Sequence, residues 1–130
     1  MRKRQQISQE ALEQHAADVA LAAKFDELLA AARQAELEFR QAEVSPSTPL
    51  TERRRLAVSL DAALTAVMRS AFAAQRAAIG ARGYDDRIYR RKAMARPEVH
   101  ARTAEAERLL TLRESHRLNG IPPVPLQPAV

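Results

Sequence analysis

The longest uninterrupted feature of this sequence is a stretch of 36 residues, Ser8 to Glu43, that contains neither Gly nor Pro. Ala, Leu, Glu and Gln, which favour helices, dominate it. Ser8 suits an N-cap, and Glu10 falls in the first turn, where the helix dipole favours a carboxylate. The stretch predicts one helix over residues 8–43. At about 50 Å, such a helix needs another element running alongside it.

Two apolar stripes run along the surface of this predicted helix, and they are offset from each other. The hydrophobic face therefore shifts partway along the helix. The upstream stripe contains Leu12, Ala16, Val19 and Ala23, and the downstream seam contains Leu21, Phe25, Leu28, Ala32, Ala35, Phe39 and Ala42.

A second helix is predicted over residues 52–79. Residues 44–51 hold two Pro and four Ser or Thr, which is typical of a connection between helices. Gly80 ends the run of helix-forming residues that begins at residue 52. At 100° per residue, one face of this run is apolar, and Arg55, Arg69 and Arg76 lie nearly opposite. Because the connection is short, we expect an antiparallel helical hairpin. The predicted inner face consists of Leu56, Leu60, Ala63, Leu64, Val67, Ala71, Ala74 and Ala78.

The rest of the chain predicts one short and one medium helix. The short one covers residues 85–95, with Tyr84, Ile88 and Met94 as its apolar contacts. The medium one covers residues 97–118 and begins at a Pro, which suits the first helical position. The sequence therefore predicts an all-α fold with a single helical domain over residues 1–120. An extended Pro-rich tail follows over residues 121–130.

Composition narrows the functional classes. Aromatic residues make up only 4% of the 130 residues and Ala is abundant, so the predicted core is thin and self-association or a partner is expected. The chain has no Cys, which excludes disulfides and thiolate chemistry. It has no secretory signal and no run of 18 apolar residues, so we expect a cytoplasmic protein without a membrane span.

The sequence contains no recognisable catalytic motif. His15, His100 and His116 lack metal-ligand spacing, and we interpret them as ordinary surface or interface residues. Phosphate-binding and nucleophile motifs with conserved glycine spacing are absent. We therefore expect no enzymatic activity, no cofactor, no metal and no small-molecule substrate.

A cluster of basic residues is the strongest functional signal. Residues 1–43 carry eight Asp or Glu against six Lys or Arg, whereas residues 52–97 carry eleven Lys or Arg against four Asp or Glu. Arg binds phosphate and carboxylate in a bidentate manner. The predicted site for nucleic acid, another anion or an acidic partner consists of Arg53, Arg54, Arg55, Arg69, Arg76, Arg82, Arg87, Arg90, Arg91, Lys92 and Arg96. The same cluster also suits neutralisation of the acidic first helix, or a solvated face.

The tail is the second signal. Four of its ten residues are Pro, which favours polyproline II, and such an arm docks with little loss of entropy. The predicted partner-binding residues are Ile121, Pro122, Pro123, Val124, Pro125, Leu126 and Pro128.

Three functional hypotheses follow from these two signals. The first is a structural or adaptor subunit of a larger assembly, as in virions or secretion machines, which binds neighbours through the hairpin and the arm. The second is a nucleic-acid-binding accessory protein that uses the region from Arg53 to Arg96, with affinity that falls steeply with salt. The third is a small inhibitor or regulator of another protein.

Overall fold

The computed structural model describes residues 6–121, which form six helices and no strand. The all-α fold class is thereby confirmed. The helices are α1 (Gln9–Ala22), α2 (Phe25–Val44), α3 (Leu50–Ile79), α4 (Arg82–Asp85), α5 (Arg87–Ala93) and α6 (Pro97–Asn119).

The single helix predicted over residues 8–43 is two helices. At the break, the Lys24 N–H bonds the carbonyl of Leu21 at 3.1 Å, three residues back rather than four. The buried Ser70 hydroxyl of α3 donates to the same carbonyl at 2.9 Å. The helix therefore ends at a carbonyl that a neighbouring helix binds, although the sequence holds no Gly or Pro there. The predicted N-cap Ser8 is confirmed, because its hydroxyl accepts the Ala11 N–H at 3.0 Å.

Helix α3 lies at the centre of the fold, and its bounds agree with the prediction to within two residues at its start. It packs against α1, α2 and α6. Because helices cover it on more than one side, its buried residues extend beyond the predicted face to include Ala57, Ser70 and Ala73. The main core combines Phe39 of α2 and Leu109 of α6 with the centre of α3.

Side-chain contacts fix the directions of α1 and α6. The His15 Nε2 atom lies 3.3 Å from the carbonyl of Ala77, whereas Leu21 further along α1 meets Ser70, so α1 is antiparallel to α3. Helix α6 is antiparallel to α3 as well, because Gln75 bonds Thr103 near its start and Asp61 bonds Arg117 near its end. Arg117 and Asp61 form an ion pair with a nitrogen–oxygen distance of 2.6 Å.

His116 corrects the interpretation of the histidines as surface residues. It is buried, its Nε2 atom lies 2.7 Å from the carbonyl of Ala57, and its ring meets Phe39 edge-on at 5.1 Å. It therefore links all three long helices of the core. The half-buried Ile121 packs nearby against the same core.

The turn after α3 requires two glycines. Gly80 has φ of 101°, a conformation that residues with a side chain rarely adopt. A Cβ at Gly83 would lie 2.5 Å from Cγ2 of Ile79, so a larger residue would force α4 away from α3. The helix predicted over residues 85–95 corresponds to α5, which begins at Arg87 because the Asp86 carboxylate accepts the Tyr89 N–H at 3.0 Å and caps it. The short α4 precedes it and was not predicted.

By length and composition alone, α3 is apolar enough to cross a membrane. The central helix of a bundle meets the same criteria, and Leu60 and Val67 of α3 are buried in the core. The absence of a membrane span therefore stays a prediction.

Candidate functional site

The predicted basic residues divide between the two ends of α3. Arg53, Arg54 and Arg55 lie in its first turns, and Arg76 lies 23 residues later, about 34 Å away along the axis. The exposed Arg69 lies about two turns before Arg76. The region from Arg53 to Arg96 therefore forms two separate basic surfaces, and the second borders a large groove.

This groove lies between the C-terminal end of α3 and the α4–α5 segment, and it has a volume of about 1350 Å³. Four of the predicted basic residues line it, and we call it the basic groove. They are Arg76, Arg87, Arg90 and Arg91.

Several of the predicted basic side chains hold the fold together. The Arg76 guanidinium binds the Asp18 carboxylate with nitrogen–oxygen distances of 2.8 and 3.0 Å. This pair joins α3 to α1, so the cluster does neutralise the acidic first helix at one point. Arg96 donates to the carbonyls of Ala78 and Ile79 at 3.2 and 2.9 Å, and thereby caps the end of α3.

Three other basic residues have local partners. Arg55 pairs with Glu52 at 2.5 Å within the first turn of α3. Arg90 donates to the carbonyl of Gly83 at 3.3 Å, which ties α5 to α4. The Arg82 guanidinium lies 3.4 Å from the Asp86 carboxylate and 4.7 Å from the centre of the Tyr89 ring. The other basic residues of α5 lie on its outer side.

Three cations of α5 carry positive charge that no carboxylate neutralises within residues 6–121, namely Arg87, Arg91 and Lys92. All three are exposed, and within residues 6–121 none of their side chains makes a hydrogen bond or ion pair. Their positive charge is therefore directed at solvent or at a partner. The same holds for Arg69 on α3.

Two carboxylates also line the basic groove, and both are already bonded. Asp85 accepts the Ser8 N–H at 2.8 Å and the Ser8 hydroxyl at 2.7 Å, and these bonds lower the pKa of Asp85. The backbone N–H of Tyr89 lowers the pKa of Asp86 in the same way. Both groups therefore stay negative at neutral pH and repel any anionic group that enters beside the arginines.

An exposed apolar side chain lies among the cations. Ile88 is 69% exposed, which contradicts its prediction as an inward contact of the short helix. Tyr89 and Ala93 make the inward contacts of α5 instead, because they pack with Ile79 and Val99. The half-buried Met94 extends the apolar lining beneath Ile88. The basic groove thus combines positive charge with an apolar surface.

A hydrogen-bonded group beside the basic groove was not predicted. The Tyr84 hydroxyl donates to Asp18, and Arg76 binds the same carboxylate. Burial alone would raise the pKa of Asp18, but the bonds from Arg76 and Tyr84 outweigh it and the pKa is lowered. Burial and the bond to Asp18 raise the pKa of Tyr84. No sequence pattern singles out this group, because its three members lie on α1, α3 and α4.

The described part of the chain holds no cluster of three His, Asp or Glu side chains that could bind a metal ion. The predicted tail contacts Pro122, Pro123, Val124, Pro125, Leu126 and Pro128 lie outside the described residues.

Comparison with protein-family models, with curated proteins and with solved structures finds no match.

Proposed function

We propose that the protein is a non-enzymatic adaptor or structural subunit that holds an acidic protein neighbour in its basic groove. The observation that carries this proposal is the exposed Ile88 between the unpaired cations Arg87 and Arg91. An apolar side chain surrounded by cations complements a protein segment with both carboxylates and apolar residues. In this proposal α1–α2 and α3 act as a helical hairpin that supports the groove, and the Pro-rich arm at residues 121–130 reaches a further neighbour.

A nucleic-acid-binding accessory function is the second candidate. Arg87, Arg91, Lys92 and Arg69 favour it, because they lack internal partners within residues 6–121 and are exposed. The exposed apolar Ile88 counts against it, since a phosphate backbone gains nothing from an apolar side chain.

Fluorescence anisotropy separates the two candidates. The probes are a labelled synthetic peptide that alternates Glu with Leu and a labelled DNA duplex, both measured at about 50 mM salt. We expect the peptide to bind more tightly than the duplex. Ile88→Ser removes the apolar contact and should weaken peptide binding about tenfold, while leaving duplex binding unchanged.

A matched control is Leu112→Ser, because Leu112 is 45% exposed on α6 and does not line the basic groove. This control should bind the peptide like the unmodified protein. Tighter binding to the duplex, together with loss of that binding in Arg87→Gln/Arg91→Gln and no effect of Ile88→Ser, would establish the nucleic-acid function instead.

A further inference from the structure

The side of helix α1 that faces α3 carries two polar residues. His15 approaches the carbonyl of Ala77, and Asp18 binds Arg76 and Tyr84. Ala11 is the buried residue of this helix. The contact of α1 with α3 is therefore built from hydrogen bonds, an ion pair and small side chains.

The upstream apolar stripe is left on the surface. Leu12 is 46% exposed and Val19 is 48% exposed, and Ala16 and Ala23 are exposed as well. Residues at these spacings share one face of a helix. Leu21, by contrast, is half-buried beside α3, so α1 carries large apolar side chains on both of its sides, and those of the outer stripe are left without a covering element within residues 6–121.

An open apolar groove borders this stripe. Val19 and Phe25 form one wall, three alanines of α3 form the floor, and Arg102 of α6 forms the opposite wall around a volume of about 280 Å³. Further along the bundle, Phe39 of α2 and Leu109 of α6 fill the corresponding space. The floor residues are Ala74, Ala77 and Ala78, and such small side chains allow another helix to approach closely.

The charges around the groove are complementary within one chain. Helix α1 holds three carboxylates and no Lys or Arg. Asp18 is neutralised by Arg76, whereas Glu10 and Glu13 have no ion pair in the described chain. Arg102 on the opposite wall has no hydrogen bond or ion pair within residues 6–121 either. Each molecule therefore carries both the carboxylates and the guanidinium group that an ion pair between two copies requires.

From the exposed stripe, the alanine floor and these charges we infer that the protein forms a homodimer in which α1 of each copy packs against α1 of the other. The two helices run antiparallel across a two-fold axis. In this register Leu12 faces Ala23 of the second copy and Ala16 faces its Val19, so large side chains meet small ones. In a dimer with a two-fold axis, Glu13 of each copy lies near Arg102 of the other, so the ion pair forms twice. This symmetry favours a second copy over an unrelated partner.

Sedimentation equilibrium tests the homodimer. The full chain should sediment as a dimer at micromolar concentrations. Val19→Glu places a charge on the stripe and should give monomers, whereas Val58→Glu should stay dimeric because Val58 is exposed on α3 away from the stripe. Circular dichroism checks that both variants remain folded. A monomeric full chain, or a Val19→Glu variant as dimeric as Val58→Glu, would refute the inference.

Thiol cross-linking tests the interface directly, because the chain has no Cys of its own. Ala16→Cys should form covalent dimers with a short bismaleimide. Ala104→Cys, an exposed position on α6, is the control and should not. Efficient dimers from the control alone would place the interface elsewhere and contradict the inference. The peptide measurement at the basic groove involves different residues, so either proposal can fail without the other.

Discussion

At the scale of single residues, the break between α1 and α2 depends on a contact that no local pattern encodes. The Ser70 hydroxyl binds the Leu21 carbonyl from another helix. Propensity favoured an unbroken helix, because Ala23 and Lys24 are good helix formers. The offset between the two apolar stripes was the available signal. A change of apolar face within one predicted helix indicates either a turn of the packing surface or a break.

Asp18 gives a prediction about pH. Its pKa is lower in the folded protein than in the unfolded chain, so its stabilising contribution is complete above the unfolded pKa near 3.8 and is lost as the pH falls through the folded value. Asp18→Asn should lower the free energy of unfolding at neutral pH by about 1–3 kcal/mol. Urea denaturation should show the gap between the two proteins closing between about pH 4 and pH 2.

Glu36→Gln is the control for this measurement. Glu36 pairs with Arg40 on the exposed surface of α2, so its removal should change the free energy of unfolding by less than about 0.5 kcal/mol. A gap between Asp18→Asn and the unmodified protein that stays constant down to pH 2 would contradict the role assigned to Asp18.

At the scale of elements, sequence reasoning identified α3 and α6 well because their ends carry local signals. Pro97 begins α6 as predicted, and Gly80 ends α3. The short α4 and the later start of α5 were not predicted, although the Asp86 side chain is an ordinary N-cap. The exposure of Ile88 was not predicted either.

The basic residues were predicted as one group, but they have different roles in their elements. Arg96 caps α3, whereas the Lys92 side chain makes no hydrogen bond or ion pair within residues 6–121. Arg96→Gln should lower the free energy of unfolding by about 1–2 kcal/mol, since two carbonyls lose a charged donor. Lys92→Gln should leave stability unchanged and weaken binding of the Glu–Leu peptide.

Thermal denaturation and anisotropy together check this division. Equal stability of the two variants would show that the bonds from Arg96 do not support α3. Unchanged peptide affinity in Lys92→Gln would exclude Lys92 from the binding surface.

At the scale of the whole molecule, the fold separates charge that the sequence places close together. The antiparallel arrangement of α1 and α3 brings the acidic Asp18 to Arg76, which neutralises part of the predicted cluster. The length of α3 separates Arg53 from the basic groove by about 34 Å. Sequence alone could locate the excess charge but could not show which cations were already paired, because those pairs join residues up to 58 positions apart.

The two surfaces proposed here lie on different parts of the molecule. The basic groove involves α3, α4 and α5, whereas the exposed stripe belongs to α1. A dimer formed through α1 would present two basic grooves, and the resulting avidity suits a subunit that connects acidic neighbours.

Photocrosslinking from the basic groove tests the adaptor function most directly. Ile88→Cys, labelled with benzophenone maleimide in a chain that has no other Cys, is irradiated in an extract of the native source. Ala104→Cys is the matched control. We predict a protein adduct specific to position 88 whose cross-linked peptide is rich in Asp or Glu and apolar residues. Adducts to nucleic acid at position 88, or the same adducts from both positions, would contradict it.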